Sequence, residues 1–194
     1  APTAEDISGE GLAPSWAEQD AMLFDDPETI DEIIASIPVE WLRKQRWFRG
    51  KAREIVAIER CDQQVRHVES GPPTLLAVLD VRYAEEEPEL YTLALTVKQP
   101  RPGDEPLLDL TIANREVRFF YALNAARCKL GAVIEDEEET ATEQGRVRGR
   151  ATDALERLGG FRTPVRPVGG EQSNTSVILG DKLLLKHFRK LEDG

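Results

Sequence analysis

The chain has 194 residues, a length that fits one domain or two small ones. Its 36 Asp and Glu against 25 Lys and Arg leave a net charge of −11, which argues against a nucleic-acid binder because phosphate contacts need clustered cations. With 40% apolar residues a real core can form, Cys61 and Cys128 alone exclude a disulfide framework, and no apolar run is long enough to cross a membrane as a helix. The start lacks the basic and apolar pattern of a signal peptide, so a soluble chain in the reducing cytoplasm is expected.

Residues 1–40 hold eleven acids and neither Lys nor Arg, and the rest of the chain is balanced. The whole charge surplus therefore belongs to the leader. Up to about Asp26 it is rich in Ala, Pro, Gly and acids, too poor in apolar area to offset the entropy of ordering, and residues 1–27 read as an acidic flexible arm, loosely docked, or a linker. The chain opens on Ala1 without a Met and stops just after an apolar strand signal, so both ends are expected to be cuts in something longer.

Behind Pro27, Ile30, Ile33, Ile34 and Ile37 recur at three- and four-residue steps with acids in the first turn, predicting a short amphipathic helix that Pro38 stops. A second short helix follows, with Trp41, Leu42, Gln45 and Phe48 as its buried stripe, interleaved with Arg43, Lys44, Arg46, Arg49, Lys51 and Arg53. Aromatics at this spacing read first as core anchors, with Arg46 or Lys51 paired to acids nearby; a docking surface is the other use. Strands are predicted at 54–63, 75–83 and 90–99, joined by Ser70-Gly71-Pro72-Pro73 and by an acidic turn over 84–89. They make an antiparallel meander.

Pro100 to Pro106, enclosing Gly103 and Asp104, is the strongest boundary signal and divides a unit at 28–104 from one at 105–194. In the second unit, Val117, Phe120, Tyr121, Leu123 and Leu130 give residues 115–129 helical character. Residues 135–143 read as a solvated acidic loop, and 151–158 as a helix ended by Gly159-Gly160. The remainder is strand and turn: 162–168, a loop at 169–174, 175–179, a turn at Gly180-Asp181, and 182–188.

That last hairpin carries the chemistry. A two-residue primed turn at Gly180-Asp181 pairs Leu179 with Lys182, Val177 with Leu184 and Thr175 with Lys186, which sets Lys186 beside the polar loop Gly169, Gly170, Glu171, Gln172, Ser173, Asn174. Backbone donors on one loop and a fixed cation on the next strand are the parts of a phosphate cradle. A glycine-rich turn followed by a strand Lys is also common in plain hairpins, and neither GxxxxGK[ST] nor GxGxxG is present, so geometry leaves both readings open.

The run from Gly170 to Arg189, EQSNTSVILGDKLLLKHFR after its Gly, resembles the ATP-binding loop and following strand of bacterial maltokinases, including those fused to trehalose synthase. Upstream, Trp41-Leu42-Arg43-Lys44-Gln45-Arg46-Trp47-Phe48-Arg49-Gly50-Lys51 resembles the start of that family's N-terminal cap. The resemblance implies an α+β fold: an antiparallel-sheet cap subdomain with short helices, followed by the first strands of a kinase-like N-lobe. It implies ATP and Mg2+ as cofactors and maltose 1-phosphate as product. Gln172, Ser173, Asn174, Thr175 and Ser176 are implied as the loop over the nucleotide phosphates, and Lys186 as the strand lysine on the α- and β-phosphates. His187, on the opposite strand face from Lys186, reads as a packed or surface histidine, and Glu171 receives no role.

A kinase of this superfamily also needs an H-x-D-x-x-x-x-N catalytic loop and a later metal-binding Asp. The other histidine, in His67-Val68-Glu69, does not fit that pattern. No catalytic residue or metal ligand is therefore assigned, and the chain alone is expected to lack phosphotransferase activity. The second reading is a non-catalytic cap that docks an enzyme of trehalose or glycogen metabolism.

Overall fold

A computed structural model describes residues 19–20, 22–68, 71–98, 102–122, 139–141, 146–148, 157, 165–168 and 174–192. Helix α1 (Pro27–Ala35) begins as its sequence dictates. Asp26 accepts hydrogen bonds from the Thr29 backbone N–H at 3.0 Å and the Thr29 hydroxyl at 2.6 Å, and Pro27 sits where a helix has no use for an N–H. Ile30, Ile33 and Ile34 are wholly buried against the sheet, and Asp31 on the outer side binds Arg60 at 2.6 Å. Pro38 ends this segment and opens α2 (Val39–Lys44), whose Leu42 joins the same core.

Strands β1 (Ile55–Val68), β2 (Gly71–Tyr83) and β3 (Glu89–Val97) form the expected antiparallel meander, with β1 running further than its sequence signal because β2 pairs with it back to Gly71. Strands β4 (Leu108–Ile112) and β5 (Arg115–Tyr121) complete a sheet of order β1-β2-β3-β5-β4. The remaining described strands are a pair, β6 (Glu139–Ala141) and β7 (Arg146–Arg148), and a three-stranded sheet of order β10-β9-β8 made by β8 (Val165–Pro167), β9 (Asn174–Leu179) and β10 (Leu183–Phe188). A final two-residue strand, β11 (Lys190–Leu191), returns to pair with β3. This is an α+β fold dominated by antiparallel sheet.

Three expectations are corrected, and of the alternatives for the arm the docked one is present at its end. The end of the acidic arm is docked: Leu23 and Phe24 are buried, the Phe24 ring lies 6.2 Å from that of Phe119, and Asp20 is ion-paired with Arg115. Two large apolar side chains at the end of a polar leader are enough to fix it. Residues 115–121 are a strand, not a helix. Ala113 and Asn114, at φ 48° and 61°, make a two-residue turn that pairs Ile112 with Arg115, and Val117 and Phe119 then point inward between outward Glu116 and Arg118.

The break from Pro100 to Pro106 is spanned by one sheet, since β5 beyond it pairs with β3 before it through Leu95 and Tyr121. Within the acidic run, Glu139–Ala141 is a strand, because a backbone ladder to Arg146–Arg148 is open to it whatever its charge. The helix expected at 151–158 lies, apart from Arg157, outside the described residues.

Candidate functional site

The turn joining β9 to β10 has the primed geometry its sequence demands, with Gly180 and Asp181 both at φ 56° and the Lys182 N–H donating to the Leu179 carbonyl at 3.1 Å. The register beyond it differs from expectation by one residue. Leu183, not Lys182, pairs with Leu179, so Leu185 faces Val177 and Lys186 faces Ser176; the Val177–Leu184 and Thr175–Lys186 pairs do not form. The cause is the face pattern. This slip gathers Val177, Leu179, Leu183 and Leu185 into one apolar cluster, which the tighter register would split between two faces.

Of the residues implied at the nucleotide, Gln172 and Ser173 lie outside the described residues. Asn174 and Thr175 open β9, Ser176 follows and is buried, and Lys186 is exposed on β10 directly opposite Ser176. Strand β8 precedes the 169–173 connection, so the cationic residue stands on the third strand of an antiparallel set whose first two strands flank the polar loop. Lys186 offers an exposed ammonium at this position, while the Ser176 side chain beside it is buried. No group of three His, Cys, Asp or Glu side chains suited to a metal occurs among the described residues.

Strand β10 is tied to the first sheet immediately after Lys186. His187 is buried, with Nε2 2.7 Å from the Thr92 hydroxyl. That hydroxyl donates to the Phe188 carbonyl at 3.0 Å, so it must accept from His187, which fixes the Nε2–H tautomer. The Thr92 N–H in turn donates to the Arg189 carbonyl at 2.6 Å, and β11 pairs Lys190 with Tyr91.

Arg189 is 1% exposed and lies between two rings, its guanidinium carbon 4.2 Å from the Tyr121 centroid and 5.0 Å from that of Trp47. Burial lowers its pKa to about 9, still above neutral, and the two π faces favour the charged form. Trp47 belongs to the upstream aromatic motif and Arg189 to the hairpin motif. The two sequence signals meet in space.

Beside this clasp sits Glu89. Its Oε2 accepts from Tyr91 Oη at 2.6 Å and Tyr83 Oη at 2.9 Å, while Oε1 lies 3.0 Å from both Arg53 and Lys190. Burial alone would raise this carboxyl, but the bonds from Tyr91, Lys190 and Tyr83 outweigh it and hold the pKa down to about 2. Burial and the same carboxylate push Tyr83 up to about 12.

A carboxyl lowered on folding stabilises above its unfolded pKa, near 4.5, and loses that contribution as the pH falls towards 2. Glu89→Gln should therefore cost about 2 kcal/mol at pH 7, discounting for the solvent that reaches Arg53 and Lys190. Thermal melts of the two proteins should converge between pH 4.5 and 2.5; a gap that persists in acid would contradict this.

The cations of the aromatic motif divide: Arg43 binds Glu40, Arg53 binds Glu86 and Glu89, and Lys44, Arg46, Arg49 and Lys51 are exposed. The pairing expected of Arg46 or Lys51 is not among the ion pairs of the described residues, whereas the aromatics are core, with Leu42, Trp47 and Phe48 buried. Glu89 and Arg189 were not singled out by sequence reasoning, the first because it closes an acidic turn and the second because it is the tail of an apolar strand.

The geometry defines an α+β cap of antiparallel sheet clasping a second, three-stranded sheet. Residues 41–122 match the family model of the maltokinase N-terminal cap domain. That segment runs from Trp41 of α2 to the residue after β5, so this part of the chain is similar to a maltokinase N-terminal cap.

Proposed function

We propose that the chain is the N-terminal portion of an ATP-dependent sugar kinase that forms maltose 1-phosphate, with Gln172–Ser176 over the nucleotide phosphates and Lys186 holding them. The observation that carries this reading is the placing of Lys186 on the third antiparallel strand, opposite Ser176, after a polar loop between the first two. Protein kinases use that order: a glycine-rich loop covers the phosphates and the third-strand lysine pairs with them.

The cap match supports the sugar-kinase class over other phosphate binders. Magnesium ligands, the base and the sugar pocket are assigned to sequence beyond this chain, so the 194-residue chain alone should not turn over. An acidic leader of this composition suits a linker to a trehalose synthase domain.

The test is the gene product that contains this chain, incubated with ATP, Mg2+ and maltose and followed by 31P NMR. An anomeric sugar phosphate is expected from it and none from the 194-residue chain. Absence of product from the whole gene product would favour the non-catalytic docking module, and product from this chain alone would overturn the division of labour.

A further inference from the structure

We infer that Arg189 is a positioning residue for Lys186, transmitting the cap's position to the strand that carries the nucleotide lysine. The inference rests on the nucleotide reading above. Lys186 lies three residues before Arg189 on a segment fixed at successive positions: His187 to Thr92, the Arg189 carbonyl to the Thr92 N–H, and Lys190 to Tyr91 and Glu89.

All of those partners belong to β3. Arg189 adds contacts that reach past β3, to Trp47 after α2 and to Tyr121 on β5. A guanidinium buried between two aromatic planes has a narrow range of allowed positions. Moving the Trp47 segment therefore moves the end of β10, and by linkage a ligand on Lys186 must be felt at Trp47.

The test uses the whole gene product. Arg189→Met, which keeps the volume and removes the charge, should raise the KM for ATP about tenfold and leave the KM for the sugar within twofold; Arg189→Lys should recover part of the loss. In the gene product labelled with 5-fluorotryptophan, saturating Mg·ATP should shift the 19F resonance that a Trp47→Phe protein lacks and that thereby identifies Trp47. Unchanged KM for ATP in Arg189→Met, an equal rise in both KM values, or an unresponsive Trp47 would overturn the inference. Lys186→Ala separates the two levels: if it leaves ATP use intact, the nucleotide reading itself fails, whereas loss there with no effect at Arg189 rejects only the coupling.

Discussion

Replacing Lys186 with Ala in the gene product that contains this chain should lower kcat/KM for ATP by at least about 100-fold, close to 3 kcal/mol of transition-state stabilisation, with the melting temperature unchanged. The size follows from the role proposed for the side chain. It stands exposed on β10 opposite Ser176, near the start of β9. A fixed cation on a transferring phosphoryl group is worth roughly as much as an oxyanion donor. The fold should not suffer, because the apolar cluster of this hairpin is formed by the other face, Val177, Leu179, Leu183 and Leu185. Lys182→Ala, in the turn, should stay within twofold of wild type. Steady-state kinetics with circular dichroism melts check both statements, and a Lys186→Ala enzyme with normal turnover would remove the site.

Gly50→Ala should be the most damaging single methyl group in the cap, costing about 3 kcal/mol or more. A Cβ at Gly50 would overlap Tyr83 Oη outright, and would sit 2.7 Å from Tyr83 Cζ and 2.8 Å from Phe48 Cζ. Neither ring can retreat freely. Phe48 is buried against Tyr91 at 5.1 Å between centroids, and Tyr83 is pinned by its bond to Glu89 and by Arg53 over its face at 4.9 Å. Tyr83→Phe removes the worst of the overlap, so the cost of Gly50→Ala should be at least about 1 kcal/mol smaller in that background. Equal costs in the two backgrounds, measured by urea unfolding, would show that the overlap is relieved elsewhere. The glycine of the upstream motif is thus required by packing around Glu89, which is also where Lys190 attaches the hairpin.

Much of this fold is written locally. The isoleucine spacing between Pro27 and Pro38 is sufficient for α1, and alternation between turn residues is sufficient for β1, β2 and β3. The aromatic motif declares itself as core because Trp47 and Phe48 have no other way to leave water. Strand β5 was hidden because Val117, Phe120 and Tyr121 satisfy a helical period as well as a strand, and the Ala113-Asn114 turn that decides between them needs a positive φ at an alanine.

The hairpin register was legible only in part. The turn type followed from Gly180-Asp181, but the pairing was set by the need to keep four apolar residues on one side. That slip moves Lys186 one residue further from the start of β9, opposite Ser176 in place of Thr175. The Glu89 and Arg189 contacts were not legible at all. Arg189 reaches Trp47 and Tyr121, and Glu89 reaches Arg53 and Lys190, across long stretches of chain that no local pattern connects; only Tyr83 and Tyr91 lie near Glu89 in sequence.

The most direct measurement labels lysines with an acyl-phosphate derivative of ATP, which transfers its acyl group to the ε-amine nearest the bound phosphates. With the gene product containing this chain, peptide mass spectrometry should find Lys186 acylated and protected by excess Mg·ATP, with Lys182 and Lys190, four residues to either side, giving no protected signal. Protection at another lysine, or none at Lys186, would contradict the nucleotide site.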